Sequence, residues 1–567
     1  MRAVPKKLLL ACVGAPALVA ALLALVELGY VVAGVDPRRH FFVPAVDEQG
    51  SPLLVQGDDR PIADVSFRTR RFPRRAPAGT KRVVVVGDST GFGLPFNPPI
   101  PFYCWIEARL KQLLPEVPTE VVNLSGNGFA SENVLDMLHD VDGSGADVIV
   151  VYVGHNEFID RNLLPILNPL AHAVRRTLAR SRFGTRLMTA AHRPADVHLL
   201  DRSIHKGRVR DEPFFTRAQL ESGWRRYREN LTRIVEFGRD HGARVVLVHP
   251  VSDAVDTAVE LSWFAPATPP ERRTEFLRRL ADFDHERIEL DLMKRRKVPL
   301  DPARIAALRA ALEELGRIDA TVVELHYLRG RVLLLEGRDE EARREFSTAV
   351  EEDGDPVRAT ATIHAILDEV ARATGALVVD PRAALDAAAA PELPGQNGWF
   401  VDYVHPDLRG HELLADAILR TLAHANVFAP EPAWRFGSES TSQQYLERGG
   451  WNPAGFAAMR SRLAVFVLVK NYYSDVRGDE VTARARRLLL HSLEVDPRCA
   501  PAYLGLGMCS ILDKKADDAI ESFDRARAID PGELDQLWGS YRSNVAVKAL
   551  FDATGLAMKD GRVVRSQ

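Results

Sequence analysis

The sequence predicts an α/β fold, a parallel sheet with helices on both faces, enlarged by helical insertions and a C-terminal helical repeat region. Three observations predict it. Short β-branched runs recur at Val83–Val86, Glu120–Asn123, Asp147–Val153, Arg244–His249 and Ala376–Asp380, the signature of strands buried on both faces. Helical periodicity fills the intervals, at Phe102–Leu114, Asn133–Asp140, Gln219–His241 and Ala359–Thr374, and again after the last strand at Asp407–Ala423. Such alternation is the pattern of parallel strands joined by crossover helices. Near the C-terminus, Pro497 and Pro531 stand 34 residues apart at matching points of two helical patterns.

The elements follow in order. Arg2, Lys6 and Lys7 precede 19 uncharged residues, Leu8–Val26, and apolar character continues past Glu27 to Val35. At 1.5 Å per residue that run spans a hydrocarbon core of about 30 Å. Residues 1–35 are therefore expected to be a retained membrane anchor. A cleaved signal peptide is the alternative, with Val31 and Ala33 resembling a small-residue cleavage site. The basic start favours a cytoplasmic N-terminus and an extracytoplasmic, periplasmic-side location for the bulk of the chain. Residues 36–80, rich in Pro and Arg, are expected to be a linker or edge structure. The sheet domain is expected over 81–424, followed by a linker over 425–460 and a tail over 536–567.

Two stretches interrupt the rhythm of the sheet domain. Phe158–Pro213 is basic, with ten Lys/Arg against two Asp/Glu between His172 and Arg210. Pro165–Arg186 reads either as a basic amphipathic helix facing a membrane or as a solvated connecting helix. The second stretch, about 266–356, is an insertion between the fourth and fifth strands. Its end resembles a tetratricopeptide repeat at Gly330, Gly337, Ala342, Phe346 and Ala349. Over 461–535 the resemblance recurs at Ala485, Leu489, Ser492 and Pro497, then at Tyr503, Leu506, Gly507, Ala519, Phe523, Ala526 and Pro531. The resemblance implies either a protein partner for the repeats or a helical prop for the sheet domain.

Composition narrows the function. Among 567 residues, 74 Lys+Arg stand against 77 Asp+Glu, a net charge of −3, so nothing in the overall charge favours nucleic acid. The four cysteines, Cys12, Cys104, Cys499 and Cys509, contain no CxxC pair, which argues against a disulfide scaffold and a cysteine-built zinc site. His139, His241, His249 and His411 lack metal-ligand spacing. No metal or organic cofactor is expected.

The chemistry is written just after the strands. The first ends in Gly87-Asp88-Ser89-Thr90-Gly91. The second ends at Asn123 and leads into Gly126-Asn127-Gly128. The third runs into Gly154-His155-Asn156-Glu157, and Asp402-Tyr403-Val404-His405-Pro406 follows the fifth. In a parallel sheet these strand ends share one edge. A serine nucleophile, two oxyanion donors and a base then converge.

The four blocks, in this order, resemble the SGNH (GDSL-like) hydrolase family over about Lys81–Ala423. The resemblance implies a flavodoxin-like three-layer fold and acyl transfer through an acyl-enzyme. It places the nucleophile on Ser89, the base on His405 and the orienting acid on Asp402. It places the oxyanion donors on Gly128 and Asn156. One departure stands in the third block, where the family's Gly-x-Asn-Asp reads Gly154-His155-Asn156-Glu157. His155 and Trp399 are candidate substrate-binding residues, His155 narrowing the site and Asn397–Trp399 lining an acyl pocket. The leading expectation is a membrane-anchored esterase acting on an acyl ester of carbohydrate or lipid. An O-acyltransferase with a sugar acceptor and a non-catalytic repeat scaffold are the alternatives.

Overall fold

The computed structural model describes residues 15–566, apart from 37, 59–65, 160–165, 167, 180, 192–208, 296–297, 391–392, 394–398, 473–477, 536–547 and 549–550. The strands in chain order are β1 (Phe42–Val46), β2 (Pro52–Gln56), β3 (Arg71–Pro73), β4 (Lys81–Gly87), β5 (Thr119–Asn123), β6 (Val148–Tyr152), β7 (Val209–Arg210), β8 (Arg244–Val248), β9 (Ser262–Trp263) and β10 (Leu377–Val379). The five β-branched runs are β4, β5, β6, β8 and β10. They form one sheet of order β10-β8-β6-β4-β5, and every pairing in it is parallel.

Alternation along each strand feeds two cores. Val84, Val86, Ile149, Val151, Val245 and Leu247 face one layer, with helices Ser131–Asp140, Arg217–Asp240 and Ala361–Thr374. Val83, Val85, Val148, Val150, Val246 and Val248 face the other, with helices Phe102–Leu113 and Leu408–His424. Taken in chain order the sheet reads 2-1-3-4-5, so the connections change direction between β4 and β6. Ligands in open α/β sheets bind at that point, outside the carboxyl ends of the strands.

Several segments differ from expectation. The stretch 36–80, expected as linker or edge structure, carries the antiparallel sheet β1-β2-β3. Its aromatic residues hold it down, since Phe41 lies 5.2 Å from Phe129 and Phe42 4.9 Å from Phe67, centroid to centroid. Residues 425–460 include helix Ser442–Arg448, whose Tyr445 packs 4.0 Å from Trp105 and donates to the Pro99 carbonyl at 2.9 Å. The helical region expected from 461 opens earlier, inside helix Pro453–Tyr472. In the tail, strands Leu556–Lys559 and Arg562–Arg565 form a hairpin. Asp560 and Gly561 at its turn have φ of 50° and 69°, the two left-handed residues that a type I′ turn requires.

The expected membrane span is corrected in part. Residues 1–14 lie outside those described, and helix Ala15–Val32 follows. Among the described residues no helix is long and apolar enough to cross a membrane. The apolar run is interrupted at Glu27, whose carboxylate accepts from the Arg182 amide at 2.8 Å and the Phe183 amide at 3.1 Å. That carboxylate caps helix Arg182–Ala191 from outside its own chain segment. The basic stretch, read as one helix over Pro165–Arg186, holds two, Pro169–Ala179 and Arg182–Ala191.

Two helical regions stand beside the sheet. Helices Pro270–Arg295, Pro302–Ile318, Glu324–Leu335 and Asp339–Glu351 lie between β9 and β10. They close a separate core around Phe276, Leu290, Leu315, Leu328 and Phe346. Helices Pro453–Tyr472, Gly478–Val495, Ala500–Leu512 and Ala516–Ile529 build another around Leu489, Met508 and Phe523. One contact recurs in both. A Cβ on Gly330 would meet the Phe346 ring at 2.6 Å, and one on Gly507 would meet the Phe523 ring at 2.8 Å. Each glycine lets a phenylalanine of the next helix lie against the backbone. Gly330→Ala and Gly507→Ala should therefore each overpack a helix pair and cost about 1–3 kcal/mol. Calorimetry should register a lower unfolding midpoint for both, and unchanged midpoints would mean that the rings move aside freely.

Candidate active site

The site is assembled where β4 and β6 end. Asp88 follows β4, and its amide donates to the Tyr152 carbonyl at the end of β6, at 3.1 Å. A Cβ on Gly87 would run into that same carbonyl, so the sequence has glycine there. Asp88 then caps the short helix Ser89–Phe92, its Oδ1 accepting from the Thr90 amide at 2.9 Å. Ser89 opens that helix and is 7% exposed.

His405 arrives on a turn 316 residues away along the chain. Asp402 Oδ1 accepts from the Val404 and His405 amides at 3.0 and 2.9 Å, an Asx-type turn that fixes its own carboxylate. The turn is closed by the Val401 amide on the His405 carbonyl at 2.8 Å. Beyond Pro406, Asp407 caps helix Leu408–His424 through the Gly410 amide at 3.0 Å. Thr90 Oγ1 donates to the Val404 carbonyl at 3.3 Å and so joins the turn to the serine loop.

Within this frame three side chains form a line. His405 Nδ1 lies 2.8 Å from Asp402 Oδ2, and His405 Nε2 lies 2.7 Å from Ser89 Oγ. With Nδ1–H donated to the carboxylate, Nε2 is left as the acceptor for the serine hydroxyl. The Asp402 and His405 side chains are 3% and 4% exposed, so their interaction is shielded from water.

The other expected donors lie on the neighbouring loops. Asn123 braces the β5 loop, accepting from the Ser125 amide and donating to the Gly91 carbonyl, both at 2.9 Å. Gly128 has φ of 71°, a left-handed conformation that glycine adopts without a steric penalty. Asn156 Nδ2 donates to the carbonyl of the next residue, Phe129, at 3.1 Å. That bond brings the Asn156 amide beside the Gly128 loop.

Glu157, the departure from the family pattern, accepts from the amide and hydroxyl of Ser131, each at 2.9 Å. Its carboxylate thereby pins the end of β6 to the N-terminus of helix Ser131–Asp140. Burial pushes the Glu157 and Asp88 carboxyls up to about 7.

His155 and Trp399 are held by other parts of the protein. His155 is 2% exposed, and its Nδ1 accepts from the Ala359 amide at 3.0 Å. Burial first, and the neighbouring His405 second, push the His155 ring down to about 3, so it stays neutral beside Ser89, His405 and Asp402. Trp399 lies half-buried under Arg409, 4.4 Å from guanidinium to ring, with its carbonyl accepting from the Asp407 amide at 2.8 Å. Asn397 and Gly398 lie outside the described residues. Sequence reasoning did not single out the pairing of His249 with His364 and Asp368. His249 Nδ1 is 2.9 Å from His364 Nδ1, and its Nε2 is 2.9 Å from Asp368 Oδ1. No sequence spacing signals it, because its members come from the end of β8 and from a helix beyond the insertion.

No family model matches the chain, and no curated protein matches it in sequence. Among solved structures the chain is similar to an acetylxylan esterase from Geobacillus stearothermophilus, at 14% identity and a TM-score of 0.26, over 60% of this chain and 94% of that one. It is similar also to a GDSL-like lipase from Bacteroides thetaiotaomicron, at 11% identity and a TM-score of 0.25, over 61% of this chain and 89% of that one.

Asp88 generates a pH prediction. Its carboxyl stands at about 7 against a model-compound value of 3.8, so the folded chain keeps a proton that the unfolded chain releases. Stability from this group is present below about 4 and is lost as pH rises toward about 7. Asp88→Asn keeps the cap acceptor and removes the titration. The stability of wild type relative to Asp88→Asn should therefore fall between pH 4 and 7 in urea unfolding, and a constant difference would contradict a buried protonated Asp88.

Proposed function

We propose that the chain is a serine esterase of the SGNH (GDSL-like) type that hydrolyses acyl esters. The observation that carries the reading is the buried line Ser89–His405–Asp402 at the carboxyl edge of the sheet. A serine hydroxyl is a weak nucleophile until a base removes its proton. His405 Nε2 takes that proton as Ser89 Oγ attacks the acyl carbon, and the carbonyl electrons move onto oxygen. The backbone N–H groups of Ser89 and Gly128 and the Asn156 amide receive that oxyanion. Collapse breaks the ester C–O bond, and the departing alcohol takes the proton from His405. Water then repeats the sequence on the acyl-serine and releases the acid. Asp402 stays ionised, holds the ring by Nδ1–H and stabilises the imidazolium. Neutral His155 adds no second positive charge beside it.

The setting belongs to the same proposal. Leu18, Leu22, Leu25 and Leu28 are exposed along helix Ala15–Val32, which supports attachment of residues 1–35 to a bilayer, and the basic residues Arg2, Lys6 and Lys7 support an extracytoplasmic side for the bulk of the chain. O-acylated carbohydrate or lipid of the envelope is the substrate class that suits this placement. The helix pairs with Gly330 on Phe346 and Gly507 on Phe523 support a tetratricopeptide-like reading of both regions, and with it a protein partner.

A fluorophosphonate probe tests the chemistry without the natural substrate. Wild type should be labelled, Ser89→Ala should take no label, and His405→Ala should label slowly. Asp402→Asn should lower turnover of an activated ester by roughly 10³–10⁴ through the wrong ring tautomer. A folded wild type that takes no label would sink the esterase reading. Deletion of residues 1–35 should abolish co-sedimentation with lipid vesicles while labelling persists. Continued sedimentation would place the membrane contact elsewhere in the chain.

A further inference from the structure

Both roots of the helical insertion touch the site. At the outgoing root the Asp253 amide donates to the Tyr403 carbonyl at 2.9 Å, within the turn from Asp402 to His405. At the returning root the Ala359 amide donates to His155 Nδ1 at 3.0 Å, and His155 is the residue before Asn156. The insertion therefore reaches the acid–base turn through one root and the asparagine strand end through the other.

One side chain holds the roots together. Arg358, the residue before Ala359, is 3% exposed. Its guanidinium donates to the carbonyls of Asp253 at 3.0 Å, Thr257 at 2.9 Å and Ala258 at 2.9 Å. Asp353 completes the join from the returning root, 3.4 Å from Arg358 Nη2, while accepting from the Glu260 and Leu261 amides at 2.8 and 3.0 Å. The Gly354 amide adds a bond to the Leu261 carbonyl at 2.9 Å. The planar guanidinium presents its donors in a fixed fork, so three carbonyls of one loop are set against one point of the other. A buried ion pair is weak support for stability in itself, since apolar replacements often serve as well. What this one supplies is geometry.

We propose that Arg358 is a positioning residue for the reaction at Ser89. By clamping residues 253–258 to 353–359 it fixes the turn that carries Asp402 and His405, through Asp253 on Tyr403. By the same clamp it fixes the strand end that carries Asn156, through Ala359 on His155. Arg358 acts only through these two bonds. The proposal rests on the esterase reading of Ser89.

The test uses the full chain with p-nitrophenyl acetate and a fluorophosphonate probe. Arg358→Met should lower kcat and the labelling rate by roughly 10–100-fold, the scale expected for displacement of catalytic groups by up to about 1 Å. KM for the small ester should stay within about twofold. Arg358→Lys, which keeps the charge but not the fork, should fall between the two, and it serves as the main variant if the methionine form does not fold. Leu315→Ala removes packing in the core of the insertion without removing any hydrogen bond of Arg358, and controls for general loosening. It should lower the unfolding midpoint and leave kcat near wild type. Wild-type kcat in a folded Arg358 variant overturns the proposal. So does a Leu315→Ala loss of kcat equal to that of Arg358→Met. A wild type that takes no label removes the reading of Ser89, and this proposal falls with it, whereas a labelled wild type with an equally labelled Arg358→Met overturns this proposal alone.

Discussion

The contact between the ends of β4 and β6 is the constraint on which the site depends. Asp88 N–H bonds to the Tyr152 carbonyl, and the missing Cβ of Gly87 lets the two backbones close on each other. Because β4 pairs with β6 in parallel, with Gly87 opposite Tyr152, the chain leaves both strands at the same height. Ser89 and Asn156 then stand on adjacent exits. The direction change between these strands opens the crevice that their exits line. The Asp402–His405 turn meets it from the far end of the sheet domain, tied on by Thr90 and by Asp253.

Burial of charge around that contact explains why so many polar groups are held by backbone. Asp88, Glu157 and His155 are buried, and burial shifts each toward its neutral form. Each still finds a backbone donor, from Thr90, Ser131 and Ala359 respectively. Leaving such groups unbonded costs about 1–3 kcal/mol apiece, so the loops that supply these amides have little freedom to move. Asp402 is the contrasting case. It accepts two amides of its own turn besides the imidazole, and hydrogen bonds to a carboxylate favour its charged form. Asp402 thus differs from the groups around it in the number of its hydrogen-bond donors.

The sheet was legible because a strand buried on both faces must be apolar at every position, and Val83–Val86 or Val148–Val151 admits no other simple reading. The blocks after the strands were legible for the same topological reason: each residue type stood at a strand exit, and parallel exits share an edge. What escaped was polar contact across distant segments. Nothing local in Ala359 marks it as the donor to His155, and nothing in His249 announces His364 and Asp368. Phe41, Phe42, Phe67 and Phe72 are scattered through a Pro- and Arg-rich text, so the sheet they hold down reads only as a linker or edge structure. Asp560-Gly561 is a hairpin signal, but its flanking strands of only four residues each give it little support from pattern. The N-terminal run is apolar enough to read as a membrane segment, and hydropathy alone does not show that Glu27 within it ties helix Ala15–Val32 to two backbone amides of the protein.

The insertion poses the sharper physical question, because its helices close a core of their own beside the sheet. Phe276, Leu290, Leu315 and Leu328 already bury one another. A tether of two flexible strands would leave such a body free to rotate, with no consequence for Ser89. The roots are instead stitched by Arg358 and Asp353, both 3% exposed, and the stitching ends on Tyr403 and on His155 rather than on the body of the sheet. Besides the contacts of Arg343 with Asp386 and of Glu351 with Thr362, the bundle thus reaches the turn of Asp402 and His405 and the strand end of Asn156. Hydrogen bonds hold distance and angle within narrow limits, so a guanidinium set on three carbonyls restricts the roots in directions that non-directional apolar packing leaves softer. That difference in stiffness, more than any difference in stability, is what a guanidinium offers at this position over a leucine.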